Sequence, residues 1–247
     1  MIVILGYDGL EYNYVREFEC KNLMQTSFGK TNISEFSEPR TVVLWSSFLA
    51  GRNTEREVLK NCGRFGESRG WAKDLWNFRL NPEETLFSRF KKWKAIDVPG
   101  FNLYSERHAA ERKALKDFFD GKITVEEYDE IAMENHRHNK EEFFDALDND
   151  YEIIMGYFGL ADVIGHLSFG IKSKMKLIYK ELDEIARRVR QKISGTVLIV
   201  SDHGMQAIGR FGDHSDYGFW SLNRCITLNT PRITEFRKLI ESFSVNF

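Results

Sequence analysis

The chain has 247 residues, 42% of them hydrophobic and 29% charged, enough for one large α/β domain and too few for two full ones. Lysine plus arginine (35) nearly balances aspartate plus glutamate (37), and the net charge of −2 excludes a global pull toward nucleic acid or an anionic membrane. Three scattered cysteines, Cys20, Cys62 and Cys225, form no CxxC pair, which excludes a disulfide framework or zinc knuckle and fits a reducing, cytoplasmic setting.

Met1 runs straight into the apolar run Ile2 to Gly6, a first strand too short to span a bilayer and without a basic leader. That strand ends in GYDGL, which places Asp8 at its carboxyl end. In EPRTVVLWSSFLAGRN a helix is expected to begin just after Pro39 and stop at Gly51. Thr41 then lies at the helix N-terminus, where free amides favour an anion, although a threonine there is usually only a cap. Trp45, Trp71 and Trp76 follow, residues able to stack a base but more often packed in a core. Asn81 with Pro82 marks a helix start, and Ala95 to Val98 reads as a second strand.

Residues 101–150 are dense in Glu, Lys and Arg and read as a helical hairpin inserted between strands, either a small cap over a site or an outer layer. Within it Thr124 and Glu127 form a capping box opening a long helix toward Asp148. His108, His136 and His138 read as a solvated face, since His136 and His138 are two apart and share no helical face. Glu152 to Phe158 is a third strand, followed by YFGLADVIGH, in which Asp162 and His166 stand four apart on one helical face. Met175, Ile178, Leu182, Ile185, Val189 and Ile193 form a core-facing helical stripe.

Thr196 to Val200 is a strand apolar on both faces, the pattern of a parallel sheet covered by helices. It runs into SDHGM, so Asp202 and His203 begin where the strand ends. A polar loop would be the bland reading of that dipeptide, but RFGDHSDYGF then adds His214 between two aspartates. Cys225 to Leu228 is expected as a last strand, and Thr230 with Pro231 as a last helix start. The expected architecture is an α/β/α sandwich with a mostly parallel sheet in a single domain. Ligands in such sheets bind beyond the carboxyl ends of the strands, where Asp8, Asp162 and Asp202 would repel one another unless cations intervened. The mixture of carboxylate and imidazole suits zinc or manganese.

These motifs, GYDGL, TVVLWSSFLAG, ADVIGH, VSDHGM and GDHSDYG, spread from residue 6 to residue 218. In that order they resemble the alkaline phosphatase superfamily, closest to its type I phosphodiesterase and nucleotide pyrophosphatase branch, in compact form. The resemblance implies two divalent ions, one held by Asp8, Asp202 and His203, the other by Asp162, His166 and His214. It implies Thr41 as the nucleophile that takes the phosphoryl group. Asn61, twenty residues past Thr41, lies near a family asparagine that contacts a phosphate oxygen. VVL after Thr41 departs from the FPN common in that branch, and TEREVLKN from its downstream HGI-like run. No CxPxR motif is present, which disfavours a sulfatase. A small-molecule phosphodiester or nucleotide is the expected substrate. The alternatives are a phosphomonoesterase or phosphoryl transferase, marked by Arg40 or Arg52 reaching the phosphate, and an inactive metal-binding protein.

Overall fold

A six-stranded sheet in the order β2-β8-β5-β1-β4-β3 organises the molecule, a computed structural model that describes residues 1–60 and 73–244. Its centre is β1 (Ile2–Tyr7), flanked in parallel by β4 (Ile153–Phe158) and β5 (Thr196–Ser201), with β3 (Trp93–Ile96) parallel at one edge. All residues of β1, β4 and β5 are buried, as their unbroken apolar runs require of strands covered on both faces. Toward the other edge β8 (Tyr217–Leu222) runs antiparallel to β5, and β2 (Ser27–Asn32) antiparallel to β8.

Alternation along β1 sends its side chains into two cores. Val3, Leu5 and Tyr7 pack on one face with α7 (Leu160–Ser168) and α8 (Lys172–Lys192), whose stripe Met175, Ile178, Leu182, Ile185 and Val189 is buried. Ile2 and Ile4 pack on the other with α3 (Thr41–Ala50) and α9 (Phe236–Ser244), completing the α/β/α sandwich. The short helices α1 (Tyr12–Glu17), α2 (Lys21–Met24) and α4 (Glu55–Lys60) fill the connections. The pair α5 (Ser105–Phe119) and α6 (Val125–Ala146) forms the crossover from β3 to β4, and Phe143 of α6 is buried in the first core. Thr124 caps α6 through the expected box: its side chain accepts from Glu127 N at 3.2 Å, and its own N donates back to Glu127 at 2.7 Å.

Three expectations are corrected. Cys225 to Leu228 is not a strand; Ile226 and Leu228 pack against the second core from a loop, and β8 supplies the last strand instead. Thr230 and Pro231 do not open a helix, because the Pro231 carbonyl accepts Asn32 N at 2.8 Å and holds that segment extended; a 3₁₀ turn begins at Ile233. Asn81 and Pro82 do open a helical turn, but only the 3₁₀ segment Pro82–Glu84. β2 and the two-stranded hairpin of β6 (Met205–Ile208) and β7 (Phe211–His214) carry too little apolar alternation to have been expected. Among the described residues no helix is long and apolar enough to cross a membrane.

Candidate metal centre

Asp8 follows β1, Asp202 and His203 follow β5, and Asp162 begins α7 just past β4, so three adjacent parallel strands deliver their acids to one edge. The loops are tied together. Ser201 Oγ accepts Leu10 N at 2.9 Å and donates to the His203 carbonyl at 2.6 Å, joining GYDGL to VSDHGM. Gly9 has φ of +67°, and a Cβ there would lie 2.9 Å from the Asp162 Cα, so the GYDGL loop can approach α7 this closely only through glycine. The hairpin of β6 and β7 folds back over the same edge and brings in His214 at its end.

The six expected ligands do meet. His203 Nε2 lies 3.2 Å from Asp8 Oδ1 and 3.4 Å from Asp202 Oδ2, all three side chains at most 1% exposed. Asp162 is flanked by His166 at 3.3 Å and His214 at 3.4 Å, and the rings of His203 and His214 stack with centroids 3.7 Å apart. The grouping differs in one respect from the two separate triads expected. One set of potential donors is Asp8, Asp202 and His203, while the other is Asp162, His203 and His214, each within 4.8 Å; His203 belongs to both, and His166 joins only through Asp162.

The donor chemistry fits a divalent cation. Asp8 Oδ1, both Asp202 oxygens, Asp162 Oδ1, His203 Nε2 and His214 Nε2 are buried and have no hydrogen-bond partner, which is costly unless something else compensates them. Other contacts aim them. Asp8 Oδ2 accepts from the Tyr157 hydroxyl at 2.6 Å and from Trp45 Nε1 at 3.4 Å, leaving Oδ1 toward the cluster. Trp45 is therefore core and orients a candidate ligand, not a base-stacking surface. His203 Nδ1 lies 3.0 Å from the Gly204 carbonyl, which fixes the proton there and turns the Nε2 lone pair inward.

Without a cation the charges strain. Burial, then the neighbouring Asp8, pushes the Asp202 carboxyl well above its usual range. Burial opposes charge on His203, but Asp202 and Asp8 outweigh it and push its pKa up to about 10. Burial likewise opposes charge on Asp162, yet His166 and His214 hold it well below the usual range. His214 is lowered by burial and by the charge on His203. A dication held by these residues would replace this mismatch with uniform compensation, in competition with the His203 proton.

Thr41 is the first residue of α3, buried, and lines a cavity of about 570 Å³ together with Asp162, His166 and His214. The first α3 bond runs from Leu44 N to Arg40 O at 2.9 Å, so the amides of Thr41 to Val43 precede the helical ladder. Arg40 shares that cavity wall and lies 3.2 Å from Glu38. Arg52 does not; it is tied to Glu57 and Glu84 on the surface, which removes it as a phosphate contact. Asn61 and Trp71 lie outside the described residues.

The helices α5 and α6 bury residues that their charge-rich sequence presents as solvated. His108 and His136 are buried, not solvated: His108 Nε2 lies 2.9 Å from Asp97 and its Nδ1 3.2 Å from Glu111, while His136 pairs with Glu181 at 3.2 Å. Only His138 is exposed among them. His108, Glu111 and Arg112 line the same cavity as Thr41, and Trp76 stacks on His108 with ring centroids 6.1 Å apart. Their i, i+3 and i, i+4 spacing on α5 was the available signal.

No protein-family model matches the sequence, and no curated protein matches it significantly. Solved structures do. A mutant TAB5 alkaline phosphatase with magnesium bound aligns over 99% of this chain and 97% of its own, with a TM-score of 0.55 and 12% identity. An inactive murine ectonucleotide pyrophosphatase/phosphodiesterase 5 in complex with AMP aligns over 85% of this chain at a TM-score of 0.49 and 10% identity. The chain covers 58% of that protein's length. The sulfatase PsFucS1 from Pseudoalteromonas sp. aligns over 96% of this chain and 66% of its own, at a TM-score of 0.47 and 12% identity.

Proposed function

We propose that this chain, which has the fold of the alkaline phosphatase superfamily, is a dinuclear-metal-dependent phosphoryl hydrolase acting on a phosphodiester or nucleotide pyrophosphate, with Thr41 as nucleophile. The observation that carries the reading is the cluster of buried, unpartnered Asp and His donors, two of which, Asp162 and His214, also line the cavity that Thr41 lines. Asp8, Asp202 and His203 would hold one ion, and Asp162, His214 and His166 the other, with His203 bordering both. Zinc and manganese match this donor set. When bound, such ions supply Lewis-acid stabilisation of the reacting oxygens and ease ionisation of a hydroxyl.

The chain's own residues do the rest. Thr41 gives its Oγ1 proton to water and attacks phosphorus; a P–O bond to Oγ1 forms as the P–O bond to the departing alcohol breaks, that oxygen taking a proton from water, and a second water then attacks phosphorus, returning a proton to Oγ1 and releasing the phosphomonoester. The unbonded amides at the start of α3 face the developing oxyanion. Tyr157 and Trp45 hold Asp8 in orientation, and Gly204 fixes the His203 tautomer. Burial of Asp8, Asp202 and His203 keeps water from loosening the site. The cysteine pattern keeps a cytoplasmic location within this proposal, Cys20 and Cys225 both being free thiols.

A second reading, a phosphomonoesterase or phosphoryl transferase on the same core, draws on Arg40 and Arg112 at the cavity wall. Turnover of bis-p-nitrophenyl phosphate against p-nitrophenyl phosphate, with zinc, with manganese and after chelation, separates them. Metal-dependent diester hydrolysis with the higher kcat/KM supports the first reading. A tenfold monoester preference supports the second, and metal-independent or absent turnover of both removes the hydrolase.

A further inference from the structure

His214 closes a hairpin that pairs with no third strand among the described residues. Gln206 to Ile208 of β6 are exposed, and no residue of β7 is fully buried. A lone two-stranded hairpin is marginally stable in water, so its position depends on what it is tied to. The tip is tied to the end of α7: Gly170 N donates to the Arg210 carbonyl at 3.0 Å, and Arg210 Nε to the Leu167 carbonyl at 3.3 Å. At the base, where His214 sits, Gly204 N donates to the Tyr217 carbonyl at 2.7 Å and Ser215 N to the Gly204 carbonyl at 3.0 Å. Those bonds close the base on itself, and Glu11 ties it to the rest of the centre.

Glu11 comes three residues after Asp8, at the N-terminus of α1, and is 3% exposed. Its Oε2 accepts Met205 N, the first amide of β6, at 3.3 Å, and its Oε1 accepts the hydroxyl of Tyr217, three residues past His214, at 2.6 Å. Oε1 also accepts Asn13 N at 3.0 Å and Asn13 Nδ2 at 2.8 Å, while Glu11 N donates to the Tyr179 hydroxyl on α8 at 2.7 Å. Donors thus meet both oxygens of one buried carboxylate, an arrangement that an amide with its single acceptor cannot reproduce. A Cβ at Gly204 would collide with Glu11 Oε2, so the glycine of VSDHGM admits the carboxylate. Capping α1 needs only the bond to Asn13 N; the bonds to Met205 and Tyr217 serve something else. We infer that Glu11 is a positioning residue of the metal centre: it joins the loop that carries Asp8 to both ends of the hairpin, and so holds His214 within reach of Asp162 for the ion those two would share. This rests on the dinuclear reading proposed above.

Cobalt(II) titration of the full chain, followed by visible absorption and by competition with a chromophoric chelator, tests it without reference to turnover. Wild type should take two ions. Glu11→Gln and Tyr217→Phe should each weaken one of them on the order of tenfold or more and leave the other within about threefold, as loss of a partner that orients a ligand does. Tyr217→Phe keeps the bond that caps α1, and it decides the matter should Glu11→Gln not fold. The double variant should lose no more than Glu11→Gln alone, since both break the same bond. Added to His214→Ala, either change should leave cobalt binding where His214→Ala puts it, because the effect passes through His214. Unchanged binding in both single variants, equal weakening of both ions, or a further loss in the His214→Ala background overturns the assignment and leaves the hydrolase reading standing. A wild type that binds fewer than two ions removes both.

Discussion

Tyr157 donates its hydroxyl to Asp8 Oδ2 at 2.6 Å, and that bond leaves Asp8 Oδ1 facing His203 Nε2 at 3.2 Å. A strand residue of β4 thus orients a candidate ligand just past the end of β1. Tyr157→Phe keeps the ring packing against Trp45 and removes only the donor. Metal affinity, read by competition with a chromophoric chelator, should fall roughly 10- to 100-fold with the fold intact. Unchanged affinity would mean that backbone geometry alone aims Asp8.

Asp202→Asn should act with opposite signs in the two metal states. In chelated protein Asp202 is pushed up by burial and by Asp8, so its ionisation opposes folding above the usual carboxylate range, and a neutral amide relieves this. Chelated Asp202→Asn should therefore melt above chelated wild type at neutral pH. With saturating zinc the order should reverse, because a ligand is lost. Scanning calorimetry with and without zinc checks both halves; the same order in both states would contradict the metal assignment.

His108 should give the protein a pH dependence separate from that of the candidate metal centre. Burial alone would lower its pKa, but Asp97 and Glu111 outweigh that and raise it from 6.5 to about 9. With the folded value raised, its stabilising contribution is complete below about pH 6.5 and is lost as pH rises through about 9. Urea unfolding of wild type should lose on the order of 3 kcal/mol across that window relative to His108→Gln. Parallel profiles for the two proteins would show that His108 is neutral in the fold.

Gly9→Ala tests how the two halves of the centre are joined. A methyl group there meets Asp162 backbone at 2.9 Å, and φ of +67° is unfavourable to alanine. The expected cost is about 1–3 kcal/mol in urea unfolding, accompanied by weaker binding of metal. A wild-type stability would mean that the GYDGL loop shifts freely.

The strands that carry the centre were legible because β1, β4 and β5 are buried on both faces and read as unbroken apolar runs; Thr196 to Val200 followed by SDH is the clearest case. β2 was not, since SFGKTN is half-exposed at a sheet edge and stabilised by its pairing with β8, which local sequence does not encode. Asp8, Asp162, His166, Asp202, His203 and His214 were legible as residues at strand ends. The role of His203 between both donor sets was not, because it depends on the hairpin of β6 and β7 stacking His214 against it. His108 and His136 looked solvated on charge-rich helices, yet tertiary partners Asp97, Glu111 and Glu181 bury them. Arg112 was invisible for the same reason: one arginine in a charged helix gives no sign of which face meets a cavity.

The central claim is that Thr41 takes the phosphoryl group at this centre. Acid quenching of metal-loaded protein during turnover of bis-p-nitrophenyl phosphate, followed by peptide mass spectrometry, tests it directly. The account predicts a phosphoryl-ester adduct confined to the peptide bearing Thr41, absent from Thr41→Ala, whose turnover should fall on the order of a thousandfold or more while its metal content stays near normal. Undiminished turnover by Thr41→Ala, with no adduct in the wild type, would contradict it.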